Sequence, residues 1–358
     1  MVLGRIIGNE NGIAILITLL VITVLIATTL ELNRKARSEI SFSAISRDRL
    51  TLAHMASSGL NAAMAMLVRD KMDSDTDSLQ EDWADRDKID EILQDIPIEE
   101  GQPDVIISDE LGRIQINALV IFPEGREFNN TQLNLWDRFL RNMVYKDESL
   151  EDVDPTAIIN SLKDWLDAGD DEAITGLSGA ESGYYEGLDL PYSCGNSPFT
   201  YLDELAFVKG ITKNLLYGID ARPGIFPYVT TFGRTPISKN TFTFNGKINI
   251  NTADVRVLTA LLPAEYDDLA AAIHDYRMET SDSTYVHDLS SPEWYKNAPG
   301  CTDLEIDPDL ITVSSDVFRI ESTAVLHGMK LINTAVVARV KNNATGKWTC
   351  TVLRQWID

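Results

Sequence analysis

Cysteine is nearly absent. Of 358 residues only Cys194, Cys301 and Cys350 carry a thiol, and no two of them form a C-x-x-C pair. The usual zinc and thioredoxin arrangements are therefore excluded, and at most one internal disulfide can form. Histidine occurs four times and never as H-E-x-x-H. Neither G-x-S-x-G nor G-x-x-x-x-G-K-[ST] occurs, so the marks of a metalloprotease, an α/β-hydrolase and a P-loop NTPase are missing. Positive charge is also short: 31 Lys and Arg face 55 Asp and Glu, a net charge of −24. Such a surface repels nucleic-acid phosphates and anionic headgroups, and it suits divalent cations. The expectation is a chain that is not an enzyme and has no nucleic-acid partner.

Against these absences stands one apolar run. Ile13 to Leu30 (IAILITLLVITVLIATTL) contains 18 residues without charge, proline or glycine. As a helix it would reach about 27 Å, close to the hydrocarbon thickness of a bilayer. Thr18, Thr23, Thr28 and Thr29 can return their hydroxyls to the helix backbone, which makes them tolerable in lipid. Gly12 stands directly before the run, after a short polar leader containing Arg5, Asn9, Glu10 and Asn11. A secretory signal places its small-residue cleavage site after the apolar run, but here Glu31 follows and no A-x-A pattern closes it. Arg34, Lys35 and Arg37 come next, with Arg5 alone on the other side. By the positive-inside rule that asymmetry would put the C-terminal side in the cytoplasm.

Helical spacing continues to about Lys71, where Ala53, Ala56, Leu60, Ala63 and Leu67 make one apolar stripe. No sustained heptad argues for a coiled coil. A short helix is expected around Ile89–Leu93 within an acidic loop. A hairpin is expected over 105–118, with its turn at Glu110–Arg113. Leu133–Val144 is again helical in spacing. Asp154-Pro155 is a cap and first-turn pair opening a helix through Leu166. Tyr201–Val208 reads as a short helix, and Lys247–Asn251 (KININ) alternates. Thr252 is the expected cap of a helix over Ala253–Leu261, and Ala264–Arg277 is a further helix. The last part is a meander: Val317–Leu326, a turn at His327-Gly328, Ile332–Lys341, a second turn, then Trp348–Trp356. Strands on both sides of a helical middle predict an α+β fold. In it a long N-terminal helix packs on an antiparallel sheet, and a large, mainly helical domain is inserted.

Asp164, Asp167, Asp170, Asp171 and Glu172 crowd one stretch (DWLDAGDDE), followed by Gly179-Ala180-Glu181 and Tyr184-Tyr185. Like charges a few Å apart repel, and acids at a helix C-terminus are unfavourable. One solution is Ca²⁺, a hard cation that takes six to eight oxygens from a flexible loop. The spacing is not that of an EF-hand. A carboxylate pair beside Trp165 could also belong to a glycosidase, but nothing else lines a sugar cleft. The phrase KINININTADVRVLTALLP is similar to the opening of helix-hairpin-helix modules. Its hairpin, LLPAEYDD, is acidic and lacks their Gly-rich turn, which argues against phosphate contacts.

Taken in order, the Gly-bounded leader, the helix with AHMASSGLNAAMAML, the acidic segment, PFTYLDELAFVKG and the KININ phrase resemble the large K-type minor pseudopilins of type II secretion. The resemblance implies cleavage by the prepilin peptidase between Gly12 and Ile13, with methylation of the new terminus. Most pilins carry Glu at the fifth mature position. Here it is Ile17, a departure that K-type subunits share. Residues 1–12 are then a leader and 13–30 the transmembrane half of the helix. Residues 31–126 hold the amphipathic helix and first strands, 127–303 the insertion, and 304–358 the last strands. The implied protein sits in the inner membrane by a single pass with its C-terminal domain in the periplasm, against the positive-inside reading. It would stand at the pseudopilus tip with I- and J-type minor pseudopilins, contact the inner-membrane secretion platform and support export of folded proteins. The inserted domain of that family is associated with calcium, for which Asp164, Asp167, Asp171 and Glu181 are the expected ligands. In an oxidising compartment three disulfide pairings are open; Cys194 with Cys301, both central, is the expected one. A type IV pilus tip adhesin shares the leader and helix, and a membrane-tethered periplasmic hydrolase built on the acidic cluster is the reading of another class.

Overall fold

A computed structural model describes residues 10–98, 100–145, 150–169, 174–239 and 241–358. The apolar run is the start of one uninterrupted helix, α1 (Glu10–Asp73), of 64 residues. At 1.5 Å per residue it is about 96 Å long. Thr18 donates to the Ala14 carbonyl at 2.8 Å and Thr23 to that of Leu19 at 2.7 Å, so these hydroxyls are satisfied within the helix. Among the described residues α1 alone is long and apolar enough to cross a membrane, and its apolar side chains from Ile13 to Leu30 face outward. That fits a single-pass membrane anchor.

From Leu52 onward α1 changes character. Leu52, Met55, Ala56, Leu60, Ala63 and Leu67 are buried at steps of three and four, the spacing of one helical face. This face lies on a four-stranded antiparallel sheet ordered β1 (Asp104–Asp109), β2 (Val317–Leu326), β3 (Met329–Lys341) and β4 (Trp348–Ile357). Gly59 sits on the same face. A β-carbon there would collide with Ser322, Val105 and Pro103, so the missing side chain lets helix and sheet approach closely. A second helix, α2 (Arg86–Gln94), is capped by Asp85 and adds Ile89 and Leu93 to this core.

Between β1 and β2 the chain builds a separate unit. Its apolar core draws on residues from Ile114 to Ile311 and is distinct from the helix–sheet core of Leu60, Leu67, Trp83, Val105, Phe318, Ile320 and Val337. The core therefore takes in residues on both sides of the expected 127–303 limits. Its helices are α3 (Asn130–Tyr145), α4 (Pro155–Leu166), α5 (Ser182–Glu186), α6 (Lys213–Tyr217), α7 (Val255–Leu261) and α8 (Leu269–Arg277). The α+β class, the long helix on an antiparallel sheet and the helical insertion are as the sequence pattern predicts.

Two local expectations fail, and one side chain explains both. Asp109 is buried at the junction of the two units. It accepts from the Leu111 amide at 2.8 Å, Ser315 Oγ at 2.5 Å, Asn249 Nδ2 at 2.8 Å and Thr252 Oγ1 at 2.6 Å. The Asp109–Leu111 bond turns the chain out of the sheet, so no hairpin forms over 105–118. Ile114–Gln115 pairs instead in parallel with Val229–Thr230. The Thr252 hydroxyl, drawn to Asp109, does not cap the helix that follows; Asp254 caps α7 through the Arg256 amide. The KININ phrase contributes Ile248–Asn249, paired in parallel with Ile311–Thr312.

Glu110 completes the junction. Glu110 binds Arg319 at 3.0 Å, Arg113 at 3.3 Å and Thr230 Oγ1 at 2.8 Å. Burial works to raise its pKa, but Arg113 and Arg319 outweigh burial and hold the carboxyl below its ordinary range. Burial pushes Asp109, which faces no close cation among these bonds, upward.

Candidate metal centre

Helix α4 positions the expected ligands. Asp154 accepts from the amides of Thr156 and Ala157, and Pro155 fixes the first turn. The face carrying Ile158, Ile159, Leu162, Trp165 and Leu166 enters the core of the inserted unit. That orientation draws Asp164, in the last turn, inside with it. Asp164 is 0% exposed, Glu181 3% and Asp167 8%. One carboxylate oxygen from each lies within 4.8 Å of the others.

The surroundings fix this triad. Both Asp164 oxygens accept from the Thr175 amide, at 3.0 and 3.1 Å, and Oδ2 also from the Ala180 amide at 2.7 Å. Asp164 thus holds both ends of the segment that leads to Glu181. Gly179 leaves the room for it, since a β-carbon there would overlap Asp164 Oδ2 and the Thr175 backbone. Lys209 Nζ donates to the carbonyls of Ser178 and Gly179 at 3.1 Å and lies over the Tyr184 ring. Trp165 is walled by Tyr185 at 5.3 Å and a parallel Phe199 at 6.0 Å. Asp167 follows the helix end; its Oδ1 accepts from the Gly169 amide at 3.2 Å and its Oδ2 from Lys163 Nζ at 2.9 Å.

Three buried carboxylates gather where a helix C-terminus already disfavours negative charge, and Lys163 pairs with one of them, Asp167. The donors of the triad are all oxygen, which suits a hard cation such as Ca²⁺ and not zinc. By donor chemistry the residues fit calcium. Asp171, the fourth expected ligand, lies outside the described residues.

A second acidic triad has a different environment. Asp70, Asp77 and Glu81 also bring one oxygen each within 4.8 Å. Here Arg339, 3% exposed, reaches Asp70 at 3.0 Å and also binds Asp77 and the carbonyls of Ser315 and Leu67. Glu81 accepts from the Ser78 amide and Trp83 Nε1, both at 2.9 Å. This triad already holds a guanidinium that cannot leave without abandoning four partners. Burial still dominates the two aspartates, pushing Asp70 up to about 7 and Asp77 up to about 6.

The expected Cys194–Cys301 bridge is not formed. Both thiols are free and buried. Cys194 donates to the Asp164 carbonyl at 3.5 Å, beside the triad, and Cys301 to that of Pro299 at 3.8 Å. Sharing the central region of the sequence did not place them together. Burial pushes the Cys194 thiol up to about 12, so it stays protonated.

Comparison with known proteins points to one family. Residues 112–220, which include α4 and the triad, match the family model for the first domain of type II secretion system protein K. Type II secretion system protein K of Pseudomonas aeruginosa is 29% identical over 260 residues, 71% of this chain and 68% of that one. The protein of Klebsiella pneumoniae is 25% identical over 296 residues, 80% and 81% of the two chains. The protein of Aeromonas hydrophila is 24% identical over 209 residues. The chain is similar to type II secretion system protein K. Its match spans 58% of this chain and 61% of the length of the Aeromonas relative. In fold, this protein K relative is similar to a chain in the crystal structure of the GspK-GspI-GspJ complex from the type 2 secretion system of enterotoxigenic Escherichia coli. The TM-score is 0.59 at 17% identity, over 88% of this chain and 99% of that one.

The structure brings Asp164, Asp167 and Glu181 together, and sequence reasoning missed the residues that hold them. Lys163 was legible: it stands four residues before Asp167, the spacing of a helical ion pair. The support that Gly179 and the Thr175 and Ala180 amides give Asp164 has no signature in sequence, because any residue offers an amide.

Proposed function

We propose that this chain is a minor pseudopilin at the tip of the type II secretion pseudopilus. It initiates assembly with I- and J-type minor pseudopilins, for export of folded proteins across the outer membrane. The observation that carries this reading is α1: one unbroken helix that is uncharged on every side over Ile13–Leu30 and half-buried on a sheet from Leu52 onward. A helix of that kind can stand in a membrane, pack among similar helices and carry a folded head. The head faces the periplasm, and the prepilin peptidase cuts between Gly12 and Ile13. The unit inserted between β1 and β2 adds bulk that would obstruct stacking of a further subunit above it. The lack of a carboxylate at Ile17 removes one contact a mid-fibre subunit would use. The inner-membrane secretion platform is the remaining partner. The role is assembly and not catalysis.

Asp164, Asp167 and Glu181 would hold Ca²⁺, with Asp171 as a further ligand. When bound, the ion supplies a double positive charge that ties the end of α4 to the start of α5. N-terminal sequencing of protein from native membranes tests the central claim. N-methylated Ile13 is the expected terminus, and an intact Met1 would overturn the pseudopilin reading. Copurification with I- and J-type subunits, and not with type IV pilus components, separates this function from a pilus adhesin.

A further inference from the structure

We infer that Lys163 is a built-in competitor for the cation of the Asp164–Asp167–Glu181 triad, occupying Asp167 until the ion displaces it and thereby setting the affinity of the site. This rests on the calcium reading above. Lys163 Nζ is 2.9 Å from Asp167 Oδ2, and both side chains are largely buried, at 15% and 11% exposure. Asp167 Oδ1 is engaged by the Gly169 amide, so the ammonium sits on the oxygen that an ion would need. A divalent ion and an ammonium on one carboxylate repel each other strongly in a partly desolvated site.

Lys163 is also able to leave. Among the described contacts its ammonium has a single hydrogen-bond partner, Asp167. The Phe128 ring lies 5.9 Å away and offers a face on which a displaced ammonium can rest. The lysine stem is long and turns freely, unlike a planar guanidinium. Arg339 at the other acidic triad shows the contrast: it is locked by two carboxylates and two carbonyls. One triad has a permanent internal cation and the other an exchangeable one.

The test uses the full chain in detergent, stripped with chelator and titrated with CaCl₂ by calorimetry, with melting recorded in parallel. In Lys163→Met the calcium Kd should fall about tenfold or more, as expected for loss of a unit charge a few Å from a divalent ion. The ion-free Tm should fall and the calcium-loaded Tm should hold, so the calcium-induced rise widens. Lys163→Arg, which keeps the charge on a stiffer head, should bind calcium no more tightly than the parent. Should Lys163→Met not fold without calcium, Lys163→Gln removes the same charge and keeps a polar tip. An unchanged or weaker Kd in both neutral variants overturns the competitor role while leaving the site intact. A flat titration of the parent protein is a different result and overturns the calcium site itself.

Discussion

Asp164 takes three hydrogen bonds from backbone amides and still faces two other carboxylates, so it is a scaffold and, on the calcium reading, would also be a ligand. Asp164→Asn keeps the shape but halves its acceptors and removes a charge. We expect the calcium-dependent rise in Tm to disappear in this variant, as read by melting with and without chelator. At the second triad, Arg339→Met leaves Asp70 and Asp77 buried without their cation. The expected cost is about 3–5 kcal/mol by urea unfolding at pH 8. The same pair carries a pH dependence. Both carboxyls have folded pKa values, about 7 and about 6, above the ordinary value of 3.8. The native state therefore holds more protons than the unfolded chain between these limits. Their contribution is fully present below about pH 4 and is lost as pH rises through 6 to 7. Asp70→Asn should flatten part of that slope. At this scale the sequence told which residues are acidic and close in order. It could not tell which triad a guanidinium from β3 would reach, because Arg339 lies more than two hundred and fifty positions from Asp77.

Helices and strands with a strong period were legible. The β2–β3–β4 meander, the Asp154–Pro155 opening of α4 and the apolar stripe of α1 follow from alternation, capping chemistry and three-four spacing. The hairpin over 105–118 was not, because a sequence that alternates does not reveal its pairing partner. That choice was made by Asp109, whose donors are the nearby Leu111 amide and side chains from two distant segments, 249–252 and 315. Gly59 carries the sharpest test at this scale. In an exposed helix Gly→Ala stabilises by about 1 kcal/mol. Here the new methyl would meet Ser322, Val105 and Pro103, and overpacking costs about 1–3 kcal/mol. We expect Gly59→Ala to be destabilising in urea; a stabilised variant would mean that helix and sheet do not touch there.

Two apolar cores share one buried polar seam. Asp109 and Glu110 join the helix–sheet unit to the insertion, and the seam should make the two melt together. Calorimetry of the full chain in detergent should show one transition. Asp109→Ala leaves both cores intact but unties Asn249, Thr252 and Ser315, and it should split that transition in two. A single transition in the variant would place the coupling elsewhere. The insertion as a whole was legible as a helical block between strands, whereas its limits were not, since residues from Ile114 onward join its core from segments that read as sheet.

The order of the strands has a consequence for how a cell handles this chain. Ile107 of β1 meets Ile320 of β2, so the first strand is made long before its neighbour exists. A product whose synthesis stops before residue 317 would show a bare strand edge beside an uncovered greasy helix face, the kind of surface that invites clumping. Such stumps should turn over much faster than full copies in a pulse-chase. Closing the sheet over the helix thus falls to the three strands between Val317 and Ile357.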